Sequence, residues 1–233
     1  MGLAKYLMSQ RRSAYQKNLQ NILKLALRNK KAKILDLGCD NGVWTMRVAK
    51  KIGTLDVFGV DLAAKRVLLA KNNGVKVLCR DIGKKLPYEN NVFDVIHANQ
   101  VIEHIANSDL FISEIYRLLK KGGYAIISTE NLSSWHNIFA LVLGYMPFSL
   151  TNTSCKTGAL GNPLDAHSNE EFCWLSDAWQ HQRVFTTIGW KHLFELYEFT
   201  VEKMLASGYY PFGNLFSGID PYHSAFITFR IRK

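Results

Sequence analysis

Short apolar runs alternate with amphipathic segments over the first 128 residues of this 233-residue chain. Each run is short enough for a buried strand, and the segments between the runs repeat apolar residues at helical spacing. Strands separated by helices imply right-handed crossovers and a parallel sheet covered on both faces, which is an α/β fold. The pattern predicts strands at Lys33–Leu37, Asp56–Val60, Lys76–Cys79, Val92–His97 and Tyr124–Ser128, and helices at Val43–Lys51, Ala63–Asn72 and Ser108–Leu119.

This alternation stops after Thr129. An apolar stretch, Ile138–Phe148, is followed by a polar segment, and together they predict an insertion at about 131–186. A loop of this length inside a compact domain is usually functional, so we expect a lid or a ligand-binding element. The regular pattern then returns and predicts a helix at Ile188–Tyr197 and strands at Phe199–Ala206 and Ser224–Arg232.

Residues 1–30 are predicted to form a basic amphipathic helical segment, because apolar residues recur at helical spacing from Leu3 to about Leu27. Nine of the 29 basic residues precede Asp36, the first acidic residue, and the remaining 20 are balanced by 19 acidic residues. Nearly all of the net charge of +10 therefore lies in residues 1–33, that is, in this segment and the three residues after it. The segment either contacts an anionic membrane, a nucleic acid or an acidic substrate, or is a solvated helix face, and both interpretations stay open.

Composition places the protein among globular cytoplasmic proteins. The hydrophobic fraction is 48%, typical of a protein with a substantial core, and no stretch has the roughly 20 consecutive apolar residues of a membrane span. The start of the chain lacks the apolar region of a secretory signal. We expect a cytoplasmic location, with peripheral contact to a membrane as the second possibility. The four cysteines form no C-x-x-C pair, which predicts reduced thiols and no cysteine zinc site.

The segment from Ile34 to Gly42 carries the strongest chemical signal. It reads as a strand that runs into a turn with glycines at Gly38 and Gly42, where backbone must approach a ligand closely. The spacing G-x-x-x-G differs from the G-x-G-x-x-G that binds a dinucleotide pyrophosphate. The turn therefore suits a ligand without phosphates.

Two carboxylates follow the next two predicted strands. Asp61 ends the second strand, where an acidic side chain can accept both hydrogen bonds of a ribose diol, and Asp81 follows the third strand. Ligands of open α/β sheets lie outside the carboxyl ends of the strands, so both side chains should line one crevice.

With these motifs together, the sequence resembles the class I S-adenosylmethionine-dependent methyltransferases from Lys33 to Ser128. The resemblance also includes Leu86-Pro-Tyr88, Phe93-Asp-Val-Ile96 and Leu118-Leu-Lys-Lys-Gly-Gly123. It implies a Rossmann-like, doubly wound seven-stranded sheet, mostly parallel with an antiparallel last strand, helices on both faces, and a methyltransferase domain at 31–233. S-adenosylmethionine is the cofactor that it implies.

By this resemblance Gly38 and Gly42 flank the methionine moiety, Asp61 holds the ribose hydroxyls, Asp81 faces the adenine amine, and Ile82 covers the base. Asp40 departs from the pattern, because many relatives have a third glycine there. The predicted cofactor-binding residues are Asp36, Gly38, Cys39, Gly42, Asp61, Leu62, Asp81, Ile82 and Asn99.

The segment Asn99–Ile105 resembles the subgroup that includes ubiquinone- and menaquinone-pathway methyltransferases. His104, beside Glu103, is a candidate base for an acceptor hydroxyl, and His136 is a candidate pocket residue after the fifth strand. For all three an equally open alternative is a structural role. Some relatives bind a divalent metal through a Glu-x-x-Glu-His run, but Gln100 stands in the first place here, so we predict no metal.

The insertion adds further polar candidates. His167, Glu171 and His181 match no zinc signature. Arg183 is a candidate partner for an anionic group or a surface ion-pair residue.

The predicted function is S-adenosylmethionine-dependent transfer of a methyl group to a small-molecule, lipid-like or glycan acceptor, at oxygen. The apolar stretch and the basic segment favour a hydrophobic or membrane-held acceptor. One alternative is an RNA methyltransferase, because a nucleic-acid partner is disfavoured but not excluded. Another is a non-catalytic adaptor that binds the cofactor. A nicotinamide dehydrogenase is disfavoured by the glycine spacing.

Overall fold

A computed structural model describes residues 3–154, 156–165 and 180–233; for residues 3–5, 7 and 8 it describes the backbone alone. Six α-helices and seven strands lie in these ranges. In chain order they are α1 (Leu3–Leu25), β1 (Lys33–Leu37), α2 (Val43–Ile52), β2 (Asp56–Asp61), α3 (Ala64–Asn72), β3 (Lys76–Cys79), β4 (Phe93–Asn99), α4 (Ser108–Leu118), β5 (Leu119–Glu130), α5 (Trp135–Val142), α6 (Thr187–Leu196), β6 (Thr200–Ser207) and β7 (Phe226–Arg232).

The seven strands form one sheet in the order β3-β2-β1-β4-β5-β7-β6. The first five strands are parallel, whereas β7 runs antiparallel to both β5 and β6. The order reverses between β1 and β4, which is where ligands bind in open α/β sheets. The predicted Rossmann-like sheet with an antiparallel last strand is therefore confirmed.

Both faces of the sheet are buried, because consecutive strand residues point to opposite sides. Ile34 packs into a core with Ile22 of α1 and Ile52 of α2, whereas Leu35 packs on the other face with Phe111 of α4. The near-continuous apolar strands of the sequence follow from this double coverage.

Helix α1 is held to the sheet by a buried polar contact as well as by its apolar stripe. The side chain of Asn18 is fully buried, and its amide oxygen accepts hydrogen bonds from the hydroxyls of Ser128 and Thr228. Its amide nitrogen donates to Asn99 Oδ1 at 3.0 Å. Asn18 thereby joins α1 to β4, β5 and β7, beside the crevice at the carboxyl ends of the strands.

Strand β5 is longer than the sequence predicts. It begins at Leu119 rather than Tyr124, and its pairing with β4 shifts register between Phe93 and Val95. The shift accommodates the turn at Lys120–Gly123, where Gly122 has a φ of +78°. Because residues 120–123 are two lysines and two glycines, the apolar pattern does not extend over the first part of the strand.

The predicted insertion contains α5 and a single-turn 3-10 helix at Phe148–Leu150 in its described parts. Among the described residues, no helix is long and apolar enough to cross a membrane.

Asn18→Ala should lower the free energy of unfolding by about 2–3 kcal/mol, because it leaves the buried hydroxyls of Ser128 and Thr228 without their acceptor. Urea unfolding measures the loss. Gln20→Ala, on the exposed side of the same helix, is the control and should change stability by less than about 0.5 kcal/mol. Equal losses in the two variants would show that Asn18 does not anchor the helix.

Candidate cofactor and acceptor site

The turn after β1 is closed by two glycines with left-handed backbone. Gly38 has a φ of +75° and Gly42 a φ of +77°. A Cβ on Gly38 would lie 2.5 Å from Val101 Cγ2, and one on Gly42 would lie 2.9 Å from Val75 Cγ2. Glycine is required at both positions by conformation and by space. Asp40 also has a positive φ, 47°, which an aspartate adopts more readily than most residues.

Asp61 connects this turn to the end of β2. Its Oδ2 accepts a hydrogen bond from the backbone N–H of Asp40 at 2.9 Å, and its Oδ1 accepts one from the N–H of Ala63 at 2.9 Å. The carboxylate is half-buried and thus reaches the crevice. Because each oxygen has two lone pairs, both oxygens keep acceptor capacity for a ligand.

Beneath the turn, Asp36 is part of a buried polar cluster. His97 Nδ1 lies 2.7 Å from Asp36 Oδ1, and the hydroxyl of Thr45 donates to Asp36 Oδ2. Both carboxylate oxygens thus serve to join β1, β4 and α2 under the glycine turn. Asp36 orients the turn from below, whereas Asp61 faces the crevice.

The other predicted cofactor residues lie around the same crevice in different ways. Leu62 is 58% exposed at its rim, and Ile82 is half-buried. Asp81 is partly exposed, and its Oδ1 accepts the N–H of Gly83. The Cys39 side chain is buried close to Gly59, so its backbone, not its thiol, faces the turn. Burial raises the pKa of this thiol, which keeps it protonated.

The far side of the crevice is formed by Asn99 together with helix α1. Asn99 accepts the hydrogen bond from Asn18 and lies 3.5 Å from the hydroxyl of Tyr15. The sequence analysis missed Tyr15 and Asn18. Their spacing on one face of the helix is a usable signal only once α1 is known to cross the ends of β4 and β5.

These residues fit an S-adenosyl group. Asp61 and Asp81 offer carboxylate oxygens at the ends of adjacent strands, which suits the donor hydroxyls of a ribose and the donor amine of adenine. The apolar side chains of Leu62 and Ile82, each directly after one of these aspartates in the sequence, can cover a base. The turn presents backbone and no cationic side chain for a phosphate.

Next to this crevice, polar side chains gather where β4 and β5 end and the segment 180–185 crosses them. We call Glu103, His104, Glu130, His136 and His181 the acceptor-side cluster. The backbone carbonyl of Glu103 accepts hydrogen bonds from the N–H groups of Gln182 (2.7 Å) and Arg183 (3.2 Å). The segment at the end of the predicted insertion is thereby fixed across the loop after β4.

Glu103 is fully buried. Its Oε2 accepts the hydroxyl of Thr129 at 3.0 Å, and Oε1 has no partner among the described residues. Burial raises the pKa of Glu103 to about 7, although the nearby His181 acts in the opposite direction. Glu103 is thus a carboxyl group that changes its protonation near neutral pH. Glu130, in contrast, keeps a lowered pKa despite its burial, because His181 and Arg11 lie near it.

His104 and His181 lie side by side, with ring centroids 4.8 Å apart. His104 Nδ1 is 3.2 Å from the carbonyl oxygen of Gln180, and His181 Nδ1 is 2.6 Å from that of Ser149. A carbonyl oxygen only accepts, so both Nδ1 atoms carry a proton and a neutral ring has its lone pair on Nε2. In its neutral form, either ring can therefore accept a proton or bind a metal ion through Nε2.

The same two histidines and Glu103 offer ligand atoms that all lie within 4.8 Å of one another. An ion such as Zn²⁺ takes nitrogen and carboxylate ligands of this kind. In the sequence, Glu103 and His104 belong to the run that begins at Gln100, whereas His181 belongs to the insertion, and no spacing along the chain links the two groups. The absence of a metal stays a prediction.

His136 belongs to α5 and packs against aromatic rings. Its ring centroid is 4.8 Å from that of Tyr210 and 5.4 Å from that of Phe148. Burial lowers the pKa of His136 to about 4, so the imidazole is neutral at pH 7. Arg183 is exposed. The candidates His167 and Glu171 lie outside the described residues.

The structure thus brings the three predicted catalytic residues to one region and adds Glu130, His181 and Tyr210. Nothing in the spacing of these additional residues along the chain predicts their proximity. Only the path of 180–185 across β4 and the position of the loop after β6 place them there.

Comparison with known proteins agrees with this geometry. The family model described as a methyltransferase domain matches residues 7–204. A ubiquinone biosynthesis O-methyltransferase of Pelagibacter ubique is 32% identical over 117 residues, which are 48% of this chain and 48% of that protein. A demethylmenaquinone methyltransferase of Staphylococcus aureus is 27% identical over 158 residues, 64% of this chain and 61% of that protein. The matches to the quinone O-methyltransferases thus span about half of those relatives or less.

Solved structures share the fold over nearly the whole chain. One is a protein of Thermotoga maritima described as an S-adenosylmethionine-dependent methyltransferase and possible histamine N-methyltransferase, with a TM-score of 0.62, 20% identity, and coverage of 98% of this chain and 93% of that one. Another is an S-adenosylmethionine-dependent methyltransferase of Mesorhizobium loti, with a TM-score of 0.61, 18% identity, and coverage of 94% and 98%.

Glu103→Gln should change how stability depends on pH. The fold favours the protonated carboxyl, so the wild-type protein loses stability as pH rises from about 4.5 to about 7, by up to about 3 kcal/mol. The glutamine variant does not titrate, so its stability relative to the wild type should rise over that window and level off above it. Urea unfolding at several pH values measures this difference.

Glu89→Gln replaces an exposed carboxylate and is the control, for which the same difference should be nearly flat. A flat profile for Glu103→Gln as well would mean that the buried carboxyl does not titrate in this window.

Proposed function

Since the chain belongs to the family of methyltransferase-domain proteins, whose cofactor is S-adenosylmethionine, we propose that it transfers a methyl group to a hydroxyl oxygen of a small, lipid-like acceptor. The single observation that carries the proposal is the adjacency of two sites. The crevice with Asp61 at the carboxyl ends of β1 and β2 suits the cofactor, and the acceptor-side cluster beside it supplies oriented imidazoles.

The cofactor half of the proposal rests on the turn after β1. Asp61 would bind the ribose hydroxyls through both oxygens, with the N–H groups of Asp40 and Ala63 holding the carboxylate in place. Asp81 would face the adenine amine, and Leu62 and Ile82 would cover the base. Gly38 and Gly42 would let the backbone approach the methionine moiety.

When bound, S-adenosylmethionine supplies a methyl group that its sulfonium already activates. The protein's remaining tasks are to align the acceptor oxygen, exclude water and take up the hydroxyl proton. His104 suits the last task, because the carbonyl of Gln180 fixes its Nδ1 proton and leaves the lone pair on Nε2. His181 can share this task from its adjacent position.

An apolar acceptor is favoured by what surrounds the histidines. Residues 131–154 contain no Asp, Glu, Lys or Arg. Tyr210 and Phe148 place aromatic surface against His136. Two relatives are named for quinone compounds, one as a ubiquinone biosynthesis O-methyltransferase and one as a demethylmenaquinone methyltransferase. We extend that class to this chain.

Polynucleotide acceptors are less well supported, because the basic charge does not follow one groove. Arg11 lies near Glu130 and His136 on the acceptor side. Arg28 lies instead with Lys121 and the start of β4, at the opposite, amino ends of the parallel strands. Cations separated by the length of the strands do not guide one nucleic-acid strand to a single site.

Asp61→Ala should weaken the binding of S-adenosylmethionine at least about 100-fold, because a charged acceptor of two hydroxyl hydrogen bonds is lost. Isothermal titration calorimetry measures the affinity, and circular dichroism checks that the fold is retained. Asp56→Ala removes a carboxylate from the other end of the same strand, where it pairs with Lys76, and should leave the affinity unchanged. Unchanged affinity in Asp61→Ala would remove the cofactor site from this crevice.

His104→Ala should lower kcat about 100-fold or more toward a hydroxylated aromatic acceptor, with less than a twofold change in the affinity for S-adenosylmethionine. Methyl transfer from radiolabelled cofactor measures kcat over a panel of catechols and hydroxylated quinone precursors. His192→Ala, on the exposed side of α6, should behave like the wild type. Full activity of His104→Ala would leave this histidine a structural role only.

A further inference from the structure

Two segments at the mouth of the acceptor side expose large apolar side chains. Val142 is 78% exposed and Ile219 is 81% exposed. They belong to a set that we call the apolar rim, which consists of Trp135, Phe139, Val142 and Leu143 from α5 and its end, and Phe212, Leu215, Phe216 and Ile219 from the loop between β6 and β7. Soluble proteins rarely expose such apolar side chains in one contiguous patch without a binding function.

The two halves of the apolar rim are joined at Trp135. Trp135 Nε1 donates a hydrogen bond to the hydroxyl of Tyr209 at 2.6 Å, and it lies 3.3 Å from Asp220 Oδ2. The Trp135 ring also stacks on His223 with centroids 4.5 Å apart. These contacts join α5 to the β6–β7 loop at both ends of that loop.

The exposed side chains of the β6–β7 loop lie on a backbone that its own hydrogen bonds hold in place. Backbone hydrogen bonds close successive turns, from Phe212 to Tyr209, from Leu215 to Phe212 and from Ile219 to Phe216. The rings of Phe212 and Phe216 meet edge to face, with centroids 5.7 Å apart. The apolar side chains are therefore held outward by the loop's own structure, while Ala140 and Asn137 of α5 point inward.

Charge near the rim suits an anionic surface. Asp220 accepts a hydrogen bond from the hydroxyl of Tyr209 and lies 2.9 Å from His223 Nδ1, so its carboxylate is bonded within the loop. Helix α1 runs beside the loop, where Tyr6 donates to the carbonyl of Pro211 and Asn214 donates to Ser13. The exposed Arg12 lies on this stretch of α1. A cation next to protruding aromatic and aliphatic side chains is the pattern of an interfacial membrane contact.

We propose that the apolar rim inserts into the interface of an anionic lipid bilayer and docks the acceptor side of the protein onto it. The rim borders His136 through Trp135, its neighbour on α5, and Tyr210 through the β6–β7 loop. The role of the contact rests on the proposed function, because docking would let a lipid-like acceptor pass from the bilayer to the acceptor-side cluster. The contact therefore lies mainly on α5 and the β6–β7 loop, with the basic helix as its electrostatic flank.

The test is sedimentation of the full chain with phosphatidylcholine vesicles made with and without phosphatidylglycerol. We expect binding to the anionic vesicles. The triple variant Phe212→Ser, Leu215→Ser, Ile219→Ser should bind at least about 100-fold more weakly, because three apolar side chains no longer enter the interface. Arg12→Gln should bind about fivefold more weakly, from the roughly 1 kcal/mol that one cation contributes at an anionic surface.

Matched controls separate the rim from apolar surface in general. Leu55→Ser, Leu68→Ser, Leu196→Ser alters three leucines that are 88%, 60% and 65% exposed elsewhere and should bind vesicles like the wild type. Lys31→Gln removes an exposed cation outside helix α1, is the control for Arg12→Gln, and should bind vesicles like the wild type. Failure of the wild type to bind anionic vesicles, or equal binding by the rim and control triple variants, would overturn the proposal. Self-association that the rim variant abolishes, without vesicle binding, would assign the surface to a second copy of this chain and overturn it as well.

Cofactor affinity and turnover of a water-soluble acceptor, measured on the same preparations, keep the two proposals apart. Both should be unchanged in the rim variant. Vesicle binding that depends on the rim, in a protein without methyl transfer, would leave the docking surface standing and remove the proposed function. Methyl transfer in a protein whose vesicle binding does not depend on the rim would leave the proposed function standing and remove the docking surface.

Discussion

The bend after β1 is the constraint on which the rest of the site depends. Gly38 and Gly42 adopt left-handed backbone there, and Val101 and Val75 occupy the space that any side chain at these positions would need. From below, Asp36 joins β1 to β4 through His97 in the buried core. The bend therefore has one available shape. Because its N–H at Asp40 binds Asp61, that shape also fixes the carboxylate at the end of β2.

The acceptor side is organised by a different principle, in which segments distant in sequence are pinned to one another. The carbonyl of Glu103 fixes the end of the predicted insertion, and the carbonyls of Gln180 and Ser149 orient His104 and His181. The outcome is a pair of imidazoles with defined proton positions beside a buried carboxyl whose pKa burial raises to about 7. Such a cluster is expensive to bury and is typical of functional sites. The apolar rim lies directly outside it.

Much of the fold could be predicted from the sequence, because each parallel strand is an apolar run and each crossover helix has an apolar stripe. β1 and β3 have the predicted bounds, and the antiparallel β7 follows from the resemblance. Asp61 and the two glycines could be predicted as ligand-facing because their roles are local, at strand ends and turns. Strand β5 was predicted too short, since the bulge at Lys120–Gly123 interrupts its apolar pattern.

The acceptor side was less predictable for a physical reason. The proximity of His181 to His104, and of Tyr210 to His136, arises from long-range packing that leaves no periodic signal in the chain. Similarly, the sequence predicts that the basic residues within 1–30 form one continuous basic segment. In the structure it divides between the acceptor side, near Arg11, and the amino ends of the parallel strands, near Arg28.

The central claim is that the crevice between the glycine turn and Asp61 binds the S-adenosyl group. The most direct measurement is a crystal structure of the protein with S-adenosylhomocysteine. The account predicts density along the carboxyl ends of β1 and β2, with both ribose hydroxyls within hydrogen-bonding distance of the Asp61 carboxylate and the sulfur directed toward the acceptor-side cluster. Density elsewhere, or a ribose that makes no contact with Asp61, would contradict it.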